Sequence, residues 1–181
     1  KPKYGVNGSG MHINMSLIKD GINIFTDAED EKGLSREAYC FIGGIMKHIK
    51  AVSFIANPNV NSYKRLVPGC EAPVYTAWSA GNRTSLLRTT LVRGSGARVE
   101  LKSPDPSANP YLALAVCLAA GLDGISNEIM PPQSVDGNVS EMTEAQRKEA
   151  GIEALPGSLH EAAEEFARDT YIQSVLGAGL S

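Results

Sequence analysis

An α+β fold is expected for this chain, and three features of the sequence predict it. Two short runs, residues 11–17 and 98–102, alternate apolar and polar side chains one for one, the period of a half-buried strand. From Ser35 onward apolar residues recur at helical spacing. From Asn109 a second helix signal introduces an almost wholly apolar run.

The first strand lies in "VNGSGMHINMSL", residues 6–17. Met11, Ile13, Met15 and Leu17 share one face; His12, Asn14 and Ser16 share the other. Gly8 and Gly10, just before them, allow close backbone approach by a ligand. Taken alone, a polar face of this kind usually meets only water, and a ligand is the alternative. Asp20-Gly21 then marks a tight turn into a returning strand with Ile22, Ile24 and Phe25, and the pair reads as a hairpin.

Ser35 is the expected N-cap of a helix with Glu37 in its first turn and an apolar stripe through Ala38, Phe41, Ile42, Ile45, Met46, Ile49 and Val52. His48 falls within it and reads as structural. "NPNVNSYKRLVPGCEAPV", residues 57–74, has three prolines and no sustained period, so a long loop is expected. "YTAWSA", "TSLLRTTLV" and "ARVELK" read as strands; in the last, Arg98, Glu100 and Lys102 share a face opposite Val99 and Leu101. Asn109 caps the next helix with Pro110 in its first turn, and its apolar composition to about Leu122 predicts that it is buried. Residues 130–157 form a surface loop with a short helix at 144–149, and Ser158-x-x-Glu161 opens a final amphipathic helix, with a short helical turn on to Leu176.

Length and hydrophobic content, 181 residues and 43%, suit one domain or part of a larger one. The formal charge of −3 gives no basis for nucleic acid as a partner. No uninterrupted apolar run reaches bilayer length, so neither a membrane span nor membrane association is expected, and the cytoplasm is the expected location. Cys40, Cys70 and Cys117 are odd in number and far apart, and read as free thiols. "KPKYGVNGSG" leads directly into a strand, as in a chain that begins inside a domain.

His12 and Glu100 offer imidazole and carboxylate donors suited to Mg²⁺ or Mn²⁺ when phosphate oxygens complete the shell. A glutamate between Arg98 and Lys102 equally fits a surface ion-pair ladder. Glu71, on a proline-bounded loop that also carries Lys64 and Arg65, suits a lid closing over an anionic substrate; an ordinary solvated loop is the alternative. Arg83, Arg88, Arg93 and Arg98 supply more guanidinium groups than a solvent face needs. No GxxxxGK[ST] loop or GxGxxG fingerprint is present.

"NGSGMH", "NPNVNSYKRLVPGCEAP", "SAGNRT", "RVELKSPDPSANPYLALA" and "AAGLDGI" closely resemble successive motifs of the class I glutamine synthetases, in order and at similar spacing. The resemblance implies a curved antiparallel sheet with helices packed outside, the catalytic-domain fold that this family shares with the guanidino kinases. Residues 1–181 would then be the C-terminal part of that domain, without the family's N-terminal domain and the start of the catalytic domain.

Carried over by position, the resemblance implies that His12 and Glu100 ligate a divalent metal, and that Asn7, Gly8, Arg65 and Lys102 bind glutamate. Asn14, Ser16, Arg88 and Arg98 would contact ATP or its phosphates, Arg83 the transferred phosphate, and Glu71 would deprotonate bound ammonium. Lys102 stands where the family usually has arginine, and Asn14 where many members have histidine. "NVSEM" around Ser140 lacks the tyrosine that some bacterial members modify.

The implied reaction is ATP-dependent ligation of ammonia to the side-chain carboxylate of L-glutamate through a γ-glutamyl phosphate, with Mg²⁺ or Mn²⁺, in a ring-shaped homo-oligomer. A ligase for larger amines and an inactive structural relative are the alternatives. His12, Arg65, Glu71, Arg83 and Glu100 together count against the inactive relative, since a scaffold needs none of them.

Overall fold

The computed structural model describes residues 3, 8–69, 71–89 and 96–177. Strand β1 (Ile13–Met15) is the centre of the opening alternating run. Ile13 is buried, Met11, Met15 and Leu17 are half-buried, and His12, Asn14 and Ser16 are exposed, so the period of two holds throughout. Asp20 and Gly21 take φ of 52° and 78°, the positive values a two-residue hairpin turn requires, and join β2 (Ile18–Lys19) to β3 (Ile22–Asn23). The returning strand is shorter than expected. Phe25 leaves it to pack on Phe41 in the core, with ring centroids 5.0 Å apart.

Helix α1 (Arg36–Ala56) starts where Ser35 predicts, the Ser35 hydroxyl accepting the Ala38 amide at 3.1 Å. Its stripe of Phe41, Ile42, Ile45, Ile49 and Val52 forms the middle of the core. This helix is long and apolar enough in mean composition to cross a bilayer, although Lys47 and Lys50 interrupt its apolar run. Burial explains the composition: 67% of its apolar window lies inside the protein, under the helices described below.

Residues 57–74, expected as loop throughout, contain one helical turn, α2 (Val60–Tyr63). The Ser62 hydroxyl accepts the Asn59 amide at 3.3 Å and stabilises its first turn. Strands β4 (Trp78–Ser79), β5 (Leu87–Thr89) and β6 (Val99–Leu101) complete a four-stranded sheet of order β1-β6-β5-β4. The pairs β1–β6 and β6–β5 are antiparallel, as expected, whereas β4 and β5 are parallel. The Ser79 hydroxyl accepts the amides of Gly81 and Asn82 at 3.2 and 3.1 Å, folding the chain back so that β5 starts level with β4.

Helix α3 (Pro110–Ser126) opens on Asn109, whose side-chain oxygen accepts the amides of Tyr111 and Leu112 at 3.0 and 3.3 Å. Only one face is buried, contrary to the expectation from composition. Ala113, Val116, Cys117 and Ala120 face the core, while Tyr111, Leu114, Leu118 and Leu122 are 41–83% exposed. Where α3 crosses α1 the backbones touch: a Cβ on Gly124 would lie 2.0 Å from the Cys40 carbonyl oxygen.

The last helices are α4 (Glu144–Glu149), α5 (Leu159–Arg168) and α6 (Thr170–Leu176). Ser158 caps α5 through the Glu161 amide at 3.1 Å, but the Glu161 carboxylate accepts from Gly157, one residue before the usual capping-box donor. His48 is structural, as expected. Buried on α1, it lies 3.0 Å from Asp123 of α3 and 2.6 Å from Asp169 between α5 and α6. Cys40 and Cys117 are buried free thiols, and burial pushes Cys117 up to about 12; Cys70 lies outside the described residues.

Candidate functional site

Asn14 of β1, Glu100 of β6 and Arg88 of β5 are register partners, so three polar residues line up across the sheet. Glu100 is 7% exposed and sits in the middle. One carboxylate oxygen lies 3.0 Å from His12 Nδ1, and the other 2.7 Å from a terminal nitrogen of Arg88. The second contact has ion-pair distance without hydrogen-bond alignment, so that oxygen remains a buried acceptor with capacity to spare.

Arg65 follows α2, and one of its terminal nitrogens donates to Asn57 Oδ1 at 3.2 Å, to the Pro104 carbonyl at 2.9 Å and to the Ser103 carbonyl. Those carbonyls are presented by the Ser-Pro-Asp-Pro segment after β6, which proline keeps extended. The guanidinium is thus fixed by acceptors that carry no charge. Burial lowers its pKa, with nearby Asp105 opposing. Its Nε is buried without a partner, and Nη1 lies so near Gly10 that a Cβ there would be 3.2 Å away.

These groups meet at a cavity of about 440 Å³. Gly8, Gly10 and His12 reach it from the approach to β1, and Arg65 and Glu71 from residues 57–74. Arg83 and Thr84 enter from the loop after β4, and Lys102 from the end of β6. Lys102 is 9% exposed, and its ammonium donates to the main-chain carbonyl of Arg83. Burial pulls its pKa below the ordinary lysine value; Glu100 and Glu71 oppose this, while Arg88 and Arg83 add to it.

Most of the residues expected at a site therefore come together. Glu100 and Arg88 stand behind His12 rather than on the cavity wall. Asn14 accepts from Arg98 Nε at 3.2 Å, making a separate pair farther along the same polar face, and Ser16 is exposed beyond it. Asn7 lies outside the described residues. Sequence reasoning missed Thr84 and the carbonyls that hold Arg65, whose signal was the proline pair at 104 and 106.

Arg65, Arg83 and Lys102 around one cavity favour an anionic ligand, and Glu71 adds one carboxylate at its edge. Among the described residues no group of three or more His, Cys, Asp or Glu side chains is placed to hold a metal. His12 and Glu100 are two donors of the hard type in contact with each other, and any cation there would need further oxygens from phosphate or water.

Residues 1–180 match the family model described as "Glutamine synthetase, catalytic domain". The chain is 56% identical over 177 residues to a glutamine synthetase of Clostridium saccharobutylicum, covering 98% of this chain and 40% of that protein. A glutamine synthetase of Thermotoga maritima matches at the same identity and coverage. Among solved structures, "GmaS/ADP complex-Conformation 1" superposes with a TM-score of 0.85 at 37% identity over 98% of this chain and 41% of that one. "Apo GmaS without ligand" gives 0.83 at the same identity. The chain spans about two-fifths of the length of the curated relatives it matches.

Proposed function

The chain belongs to the glutamine synthetase catalytic-domain family, and from that premise we propose that it is the C-terminal part of the catalytic domain of an ATP-dependent ligase. The reaction joins ammonia to the side-chain carboxylate of L-glutamate. One observation carries the reading most: His12, Glu100 and Arg88 are in contact beside a cavity lined by Arg65, Arg83 and Glu71.

In this reading Arg65, already fixed by main-chain carbonyls, presents its free edge to a glutamate carboxylate, helped by Gly8 and Asn7. Lys102 lies on the same wall. Asn14, Ser16 and Arg98 form the strand face along which the nucleotide lies. His12 and Glu100 would hold Mg²⁺ or Mn²⁺, which would supply neutralisation of phosphoryl charge. Arg83 and Arg88 add guanidinium groups at the transferred phosphate and the ATP.

The side-chain carboxylate of glutamate attacks the γ-phosphorus and ADP departs, leaving an acyl phosphate. Ammonium gives a proton to Glu71, ammonia adds to the acyl carbon, and inorganic phosphate leaves with the bonding electrons and takes up the proton that the new amide nitrogen sheds. The segment that carries Glu71, between Pro68 and Pro73 with Gly69 at φ 83°, would serve as the lid that keeps water from the acyl phosphate. The reading carries with it a cytoplasmic, homo-oligomeric enzyme of nitrogen assimilation.

The test is product analysis on the full-length enzyme that the proposal requires. Glutamine should form in step with phosphate, and only when ATP, glutamate, ammonium and Mg²⁺ or Mn²⁺ are all present. Turnover that demands a larger amine, or phosphate release that never yields glutamine at saturating ammonium, would contradict it.

A further inference from the structure

Lys102 carries a buried ammonium that makes no contact with a carboxylate among the described residues. Glu100 faces His12 and Arg88 and acts on Lys102 through space alone. The ammonium instead donates to the main-chain carbonyl of Arg83, while the Lys102 amide donates to the carbonyl of Leu86 at 3.1 Å. One residue at the end of β6 thus fastens both ends of the segment 83–86 to the sheet.

Thr84 is tied to Asn82 at 2.8 Å, and Asn82 in turn donates to the Gly137 carbonyl at 2.6 Å, but neither contact reaches the Arg83 carbonyl. The Arg83 side chain is exposed, lines the cavity and makes no ion pair among the described residues. Its position is therefore set by its backbone, which Lys102 holds at the Arg83 carbonyl while Asn82 anchors the preceding residue to Gly137. We propose that Lys102 is a positioning residue, which acts in catalysis by holding the Arg83 main chain so that the guanidinium faces the transferred phosphoryl group. This rests on the ligase reading and refines it, because the lysine then serves the phosphate end of the site rather than the glutamate carboxylate.

Two physical points favour this assignment. A buried charge without a directly paired opposite charge destabilises the fold, and an apolar residue of similar volume would avoid that cost. An arginine, which the family resemblance leads one to expect here, would bring a planar fork suited to a carboxylate; lysine brings a compact point charge with three N–H donors, one of which here ends on a carbonyl.

The experiment compares Lys102→Met, Arg83→Met and the double variant in the full-length enzyme, with folding checked by circular dichroism. Lys102→Met should lower kcat for glutamate-dependent phosphate release by about 10–100-fold, the scale of a misplaced catalytic group, and leave the glutamate KM within about threefold. Combined with Arg83→Met it should add almost nothing, because both changes remove one function. A tenfold or larger rise in the glutamate KM at little-changed kcat, or effects that multiply in the double variant, would overturn the proposal.

Should Lys102→Met not fold, Lys102→Gln, which shortens the side chain and removes the charge, is judged by the same criteria. Wild-type enzyme without glutamate-dependent ATP turnover would remove the ligase reading alone. Amide exchange of residues 83–86 then decides the rest: at least tenfold faster exchange in the variant supports the fastening, and unchanged exchange rejects it.

Discussion

His12 and Glu100, eighty-eight residues apart in the chain, meet at 3.0 Å across the seam between β1 and β6. The meeting follows from register: Asn14 pairs with Glu100, and the polar face of β1 places His12 two residues back on the same side. Because His12 is exposed, and glutamine keeps the volume and hydrogen-bonding capacity of the buried Glu100, each change below should cost binding and not the fold. Glu100→Gln and His12→Ala are each expected to weaken Mn²⁺ binding at least tenfold by calorimetry while circular dichroism stays unchanged. Wild-type metal affinity in both variants would take this pair out of the site.

The α1–α3 crossing predicts a stability effect remote from the cavity. Gly124 lies against the Cys40 carbonyl and the Gly44 backbone, with 2.0 and 2.6 Å available to an added Cβ. Neither neighbour is a side chain that can swing away, so Gly124→Ala must push the helices apart. A loss of about 1–3 kcal/mol in urea unfolding is expected, the usual scale of overpacking. A change below about 0.5 kcal/mol would show that the crossing relaxes freely.

Acid should unfold the protein through its fixed carboxylates. Burial tends to raise Asp123, but hydrogen bonds from His48 and Lys47 more than reverse this; Asp30 and Asp105 are likewise lowered overall, against burial, by backbone and hydroxyl donors. A carboxyl whose folded pKa lies below its unfolded one contributes stability that is present above the ordinary value of 3.8 and lost as pH falls through the lower folded value. Urea midpoints should therefore drop below about pH 4, and Asp123→Asn should flatten that drop. An equally steep pH dependence in the variant would assign the acid transition to other groups.

Much of this was legible in the sequence because local rules and tertiary structure agree. The alternation around His12, the Ser35 and Asn109 caps and the Asp20-Gly21 turn each express one backbone preference, and each was kept. The parallel β4–β5 pair was not legible, since it depends on Ser79 folding the chain back through its own neighbours. Composition also overstated the burial of α3. Apolar residues all around a helix say that each face suits a dry contact, yet Leu114, Leu118 and Leu122 remain open among the described residues. At the site, residue types pointed to the cavity, but the partner of Lys102 is a backbone carbonyl, which no pattern of side chains reveals.

Glu71 gives the most direct test of the central claim, because it separates ligation from phosphoryl transfer alone. It lies at the edge of the cavity, on the segment between Pro68 and Pro73, and neither Arg65 nor the His12–Glu100 pair depends on it for position. Glu71→Ala in the full-length enzyme should keep ATP and glutamate binding and lower glutamine formation by roughly 10²–10⁴-fold, the usual contribution of a general base. Phosphate and glutamine release are measured side by side at saturating ammonium. The account predicts uncoupling, with glutamate-dependent phosphate release persisting while glutamine nearly vanishes; a proportional fall of both products, or no change in either, would contradict it.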